Sequence, residues 1–416
     1  MSWAPNNDSA ATPWADLLPE VCDYVLDRLD AVSIIRFPAV CTAWADASKR
    51  TSRLRSGTPA LLTSSLDADG DYIEYDVEAG TFGLHDVATG KSYYGEAQRL
   101  KNRTWIGGKD DWLVTRDMRC GVELLKPVTG ERVPLPSLTA IQGLEVPDYE
   151  LHVVVNNRLY LFQQVTLCQT PAQSNGYLAV SLFSSGPLGL VAFTANGDKG
   201  WTPLENPEGV HYLKYTDASV HNGKVVAVTE SGDIYSWNMD GTAAEPTLLS
   251  GPEINVSHDL MRGFYLATST GGHLQVVCMY GYGDIKDNRS RRIVFKNQWS
   301  FFARQVSLYE LDAPAGTWRR VRGLGGDRAL FVGSSYPFYV TVPPGGSNDD
   351  LQADCVYVAD LFSSDAAAFD LKLADDTNEY EFQRRRLNYP AMRESLQMPM
   401  WFRPTAYPIA LLPNCS

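Results

Sequence analysis

Hydrophobic periodicity predicts a small all-α unit of three helices followed by an all-β propeller of six blades, seven being the alternative count. Three observations carry this. Apolar residues recur at helical spacing only before residue 56. Beyond it, short runs of alternating polarity are cut by Gly, Asn and Asp turn signals. A pattern of strand, threonine and turn glycine also returns, Leu84 to Gly90 matching Leu124 to Gly130. The expected division is a disordered tail over 1–12, the helical unit over 13–55, the propeller over 56–385, and a C-terminal segment over 386–416 packing on it.

In the helical unit, a helix starting at Pro19, where a missing N–H costs nothing, sets Val21, Val25, Leu26 and Leu29 on one apolar stripe. Two more short helices follow, through Ile34, Ile35 and Phe37 and then through Val40, Cys41 and Trp44. Roughly forty residues bury too little surface to be stable alone. Apolar side chains on more than one face therefore need a partner surface, either the rest of this chain or another polypeptide.

The order Leu18-Pro19-Glu20, Leu26, Leu29, Ile34, Phe37, Val40-Cys41 and Trp44 resembles an F-box over residues 14–50. That resemblance implies binding to a Skp-type adaptor and, through it, membership of a cullin-RING ubiquitin ligase of the SCF type. It implies Leu18, Pro19, Leu26, Leu29, Ile34, Phe37, Val40, Cys41 and Trp44 as adaptor-binding residues. Pro38 departs from the family pattern and moves the break between the second and third helices, since a proline restricts the residue before it.

In the remainder, residues 153–162 read as a hairpin around Asn156-Asn157, and 219–228 as a hairpin whose Asn222-Gly223 supplies two positive φ angles. A reversal at Glu230 to Asp233 adds a third adjacent strand ending at Trp237. Looser copies of turn glycine with tryptophan recur at Gly197 to Trp201, Trp237 to Gly241 and Gly316 to Trp318. The wide gap between the last two reads as a long loop, Gly281 to Arg292, inserted between strands. A pair of β-sandwiches is the rival architecture. Leu324 to Tyr336, Asp354 to Asp360, Ala368 to Leu371 and Trp401 to Pro404 resemble the C-terminal motifs of a plant F-box family with a KIB-type propeller.

Composition narrows the function. Hydrophobic residues make up 44% and charged residues 20%, the balance of a chain with an extensive core. With 49 acids against 36 bases the net charge is -13, which argues against nucleic acid as a partner. Seven scattered cysteines without a Cys-x-x-Cys pair read as free thiols in a reducing compartment, and the first residues lack a secretory pattern. Uncharged residues 177–195 are split by Ser184-Ser185-Gly186-Pro187 into two strands, so no membrane span is expected. The expected location is cytoplasm, nucleus or both.

No chemical motif is complete. Asp67, Asp69, Asp71 and Glu78 imitate a calcium loop, but Tyr72 stands where its glycine belongs. Gly90-Lys91-Ser92 lacks the glycine of a phosphate loop, and no Gly-x-Ser-x-Gly elbow or His-x-x-x-His pair exists. No cofactor is therefore expected. Acidic pairs at Asp110-Asp111, Asp349-Asp350 and Asp375-Asp376 leave a propeller hydrolase or lyase as the alternative function. Lys286, Arg289, Arg291, Arg292 and Lys296 form the one cationic cluster in a loop, while Arg384 to Arg386 have Glu379 and Glu381 nearby. The leading reading is a non-catalytic receptor subunit for a protein target that the sequence leaves unnamed. A scaffold that keeps the adaptor without the ligase is a further alternative.

Overall fold

A computed structural model describes residues 14, 17–26, 28–29, 31–50, 58–64, 80–117, 119–142, 162–171, 176–185, 188–208, 213–239, 245–254, 261–285, 299–342, 351–359, 366–373, 384–387 and 399–404. The expected tail, the Asn156-Asn157 turn, the Asp67 to Glu78 loop, the Lys286 to Lys296 cluster, and the pairs at 349–350 and 375–376 lie outside them.

Near the N-terminus, α1 (Pro19–Leu26) begins on its proline, with the Leu18 carbonyl accepting from Val21 N at 2.9 Å and Cys22 N at 3.1 Å. It is shorter than its periodicity suggested. Arg28 N bonds to Val25 O and Leu29 N to Leu26 O, three residues back, so the chain tightens into a turn and Leu29 falls beyond the helix. The expected single stripe also divides: Cys22 and Leu26 face inward, Val25 is half-buried and Val21 faces outward. Next, α2 (Ala31–Arg36) stops at the residue before Phe37-Pro38, which enter a single 3₁₀ turn over Phe37–Ala39. After it comes α3 (Thr42–Arg50).

All that follows is β-structure. The first sheet holds β1 (Ala60–Ser64), β2 (Thr81–Asp86) and β3 (Ser92–Glu96); the second β4 (Arg103–Lys109), β5 (Trp112–Asp117), β6 (Val122–Leu125) and β7 (Arg132–Leu135). The third is β8 (Phe162–Gln169), β9 (Leu178–Ser185), β10 (Leu188–Ala195) and β11 (Thr202–Leu204). The fourth is β12 (Tyr215–His221), β13 (Lys224–Thr229), β14 (Ile234–Asn238) and β15 (Thr247–Leu249). In the fifth are β16 (Met261–Thr268), β17 (Leu274–Ile285), β18 (Trp299–Asp312) and β19 (Thr317–Val321). The sixth has β20 (Arg328–Gly333), β21 (Phe338–Thr341), β22 (Cys355–Ala359), β23 (Ala366–Asp370) and β24 (Arg384–Arg386). Finally β25 (Met400–Phe402) returns to the first sheet and pairs with β1 through Ala60–Phe402, Leu61–Trp401 and Leu62–Met400.

These sheets are the blades of a six-bladed propeller. Their innermost strands β25, β4, β8, β12, β16 and β20 touch in that cyclic order, so the ring closes and the two-sandwich alternative fails. Both expected halves of 177–195 are strands, β9 and β10, paired with each other. Among the described residues no helix is long and apolar enough to cross a membrane. One expectation needs correction: Gly281 to Ile285 are not loop but the far end of β17, paired with Trp299 to Ala303 of β18. Alternation of Tyr280, Tyr282 and Ile285 with small or polar residues satisfies a ladder as well as a loop, and the partner strand decides.

The repeat at Leu84 and Leu124 marks equivalent places, the turn before the outermost strand of the first and second blades. Gly90 at φ 64° and Gly130 at φ 77° sit there, each N–H bonded to the carbonyl four residues back. Asn222 at φ 49° and Gly223 at φ 74° make the expected tight turn between β12 and β13.

The tryptophans that accompany the turns fasten blade to blade. Trp201 Nε1 donates to Pro136 O at 3.1 Å, Trp237 Nε1 to Glu205 O at 2.8 Å and Trp318 Nε1 to Ser250 O at 2.7 Å. Each acceptor is the first residue after the last strand of the preceding blade. A backbone carbonyl freed by the end of a ladder is thus satisfied by the next blade's indole. The core lies in the seams between blades; Leu124, Val165 and Trp201 fill that of the second and third. The seam of the first and second also takes in the helices, with Leu26, Ile34 and Phe37 in one cluster with Phe82, Leu84, Trp105 and Phe402.

Candidate functional site

Two regions present groups for recognition, the outer side of the helices and the mouth of the central channel. On the helices, the nine sequence-selected residues separate by depth. Leu26 (1% exposed), Ile34 and Phe37 (2%) are sealed in the cluster shared with the propeller. Leu29, Val40, Cys41 and Trp44 are half-buried, with the Trp44 ring stacked on Phe37 at 4.4 Å and its Nε1 donating to Trp14 O at 2.8 Å. Leu18 (66%) and Pro19 lie on the surface. Burying Leu26, Ile34 and Phe37 stabilises the helices by roughly 1.5–3 kcal/mol each, so these side chains hold the unit to its own propeller.

Beside Leu18 and Pro19 stand residues that periodicity had not assigned to a site, Trp14 (68%) and Tyr24 (60%), together with outward-facing Val21. Leu18, Val21 and Tyr24 recur every third residue along α1, opposite Cys22 and Leu26. That second, offset register was the available signal. Among the described residues most other large apolar groups are covered, so five neighbouring apolar residues on one short helix and its approach form an uncommon exposed patch. Arg28 borders it, its guanidinium 3.4 Å from the Tyr24 ring centroid. Arg36 donates to Val128 O in the second blade and fixes the unit against the propeller rim.

Acidic and histidine groups elsewhere have structural partners. Asp110 receives Arg403 Nε at 3.0 Å and Asp111 lies 3.5 Å from Lys126 Nζ, so this doublet is split between two ion pairs. His85 lies between Thr63 Oγ1 at 2.9 Å and Ser92 Oγ at 2.7 Å, and burial lowers its pKa to about 4. Gly90-Lys91-Ser92 leads into β3 as a hairpin turn. Cys22, Cys41, Cys120, Cys168, Cys278 and Cys355 are free thiols, and burial pushes the Cys168 thiol up to about 11. Among the described residues no three His, Cys, Asp or Glu side chains converge to hold a metal ion.

A family model described as KIB1-4 beta-propeller matches residues 82–381. The F-box/kelch-repeat protein KIB1 of Arabidopsis thaliana is 22% identical over 312 residues, covering 74% of this chain and 69% of that protein. F-box protein At5g25290 of the same plant is 22% identical over 135 residues, 32% of this chain and 31% of its own length. Among solved structures, TolB from Acinetobacter baumannii is 10% identical with a TM-score of 0.41, covering 86% of this chain and 70% of that one.

Proposed function

The chain belongs to the KIB1-4 β-propeller family, and from that premise we propose that it is the substrate-receptor subunit of an SCF-type cullin-RING ubiquitin ligase. Its N-terminal helices act as an F-box that docks a Skp-type adaptor, and its propeller recruits a protein target. The chain performs no bond chemistry; holding a target beside the ubiquitin-carrying enzyme raises effective concentration. It works in the cytoplasm, the nucleus or both.

One observation carries the reading: the exposed apolar patch of Trp14, Leu18, Pro19, Val21 and Tyr24 on helices whose inner side is already used. The names of the two Arabidopsis relatives support it. Because the helices share a cluster with the first two blades, adaptor and target are held at a fixed mutual orientation.

The test is co-purification with a Skp-type adaptor. Leu18→Asp with Val21→Asp places two charges in the docked patch while leaving the inner cluster intact, so the variant stays folded and adaptor recovery falls at least tenfold. Leu26→Asp, by contrast, charges a sealed position and unfolds the helices. Normal adaptor recovery by the folded double variant would refute the assignment.

A further inference from the structure

The ring is joined by a short seam, since β25 pairs with β1 through only three residue pairs. Next to that seam the sixth blade departs from the others. Instead of turning into an antiparallel neighbour, β20 runs parallel to β22, and the chain between them turns toward the axis as Ser334 to Pro337 and returns as β21 on the channel side of β20.

This strap touches five of the six blades. Ser335 bridges to Gly108 and Tyr336 N donates to Gly108 O at 2.7 Å, both in the second blade. Lys109 Nζ lies 3.7 Å from the Tyr336 ring centroid and also donates to Cys168 O of the third blade at 2.6 Å. The Tyr336 hydroxyl is hydrogen-bonded to Ser219 of the fourth blade. Tyr336 and Pro337 cover a small cavity also lined by His221, Leu266 and Thr268. Tyr339 donates to Gln275 of the fifth blade, and Val342 N reaches back to Asp327 O at 2.7 Å.

The strap also meets the seam. Phe338 stacks on Phe331 at 5.1 Å and carries the Arg403 guanidinium 4.8 Å above its ring. Arg403 directly follows β25 and is bound to Asp110 by its backbone N–H, at 3.0 Å, and by its guanidinium. Trp401, within β25, donates its Nε1 to Val332 O at 2.8 Å at the root of the strap.

We propose that the Ser334 to Val342 strap is a second closure of the propeller, acting across the axis rather than around the ring and holding β25 in register on β1. Two closures that share Arg403 and Trp401 reinforce each other, because the seam cannot slip without dragging the end of β25 from beneath Phe338 and away from Asp110.

Amide hydrogen exchange on the full chain, resolved to the first blade, tests this. Tyr336→Ala removes the strap's contacts with Lys109 and Ser219; Lys109→Met keeps the strap sequence and removes one contact from the far side. Either variant is expected to speed exchange of the β1 and β25 amides at least tenfold while exchange in β13 and β14 stays within twofold. Unchanged exchange at β1 and β25 in both folded variants would overturn the proposal, and so would acceleration spread equally over all blades. If Tyr336→Ala fails to fold, Lys109→Met alone decides by the same criterion.

Discussion

Asp217 offers a quantitative test of how the blades are tied. Its carboxylate is buried in β12, with Oδ1 accepting from Ala218 N at 2.9 Å and Gln164 Nε2 at 3.3 Å, and Oδ2 from Leu266 N at 2.8 Å. One side chain thereby links the inner strands of the third, fourth and fifth blades. Burial raises its pKa from 3.8 to about 7, against the two backbone N–H groups that pull it down. Between those values the folded chain holds a proton that the unfolded chain has released, so stability falls as pH rises across this window and levels off above it. The slope is at most about 1.4 kcal/mol per pH unit, or roughly 4 kcal/mol over the whole interval. Asp217→Asn has no such proton to exchange, and its amide oxygen still accepts from Leu266 N. Urea unfolding of both proteins at pH 5 and pH 8 should therefore show the variant gaining about 3 kcal/mol on wild type between the two conditions. Parallel pH profiles would refute the argument and mean that Asp217 stays ionised in the fold.

Other expectations follow from the same contacts. Trp201→Phe leaves the Pro136 carbonyl without its indole partner and opens space in a fully buried seam, costing about 2–4 kcal/mol in urea unfolding; a loss under about 0.5 kcal/mol would show that the indole does not fasten these blades. At Gly107 an added Cβ would lie 1.8 Å from Val165 O, so Gly107→Ala forces the second and third blades apart and should lower stability by about 1–3 kcal/mol, read as a drop in melting temperature.

Local chemistry carried much of the architecture into the sequence. The Asn222-Gly223 turn, the paired glycines at 90 and 130 and the break at Ser184 to Pro187 act over a few residues, and a short window contains all that fixes them. The boundary between helical and β periodicity near residue 56 was legible for the same reason. Leu26, Ile34 and Phe37 were recognisable as buried apolar positions, because helical spacing says which residues share a side.

Spacing says nothing about what that side meets, and there only the tertiary structure could decide. Leu26 and Phe37 face Phe82 and Phe402, partners far off in sequence, which leaves Leu18, Val21 and Tyr24 as the free surface. The pairing of β25 with β1 and the passage of Tyr336 across the axis are likewise contacts between distant segments. Periodicity is a property of one strand or helix, whereas ring closure depends on how six sheets pack together, and that packing brings residues 60 and 402 side by side.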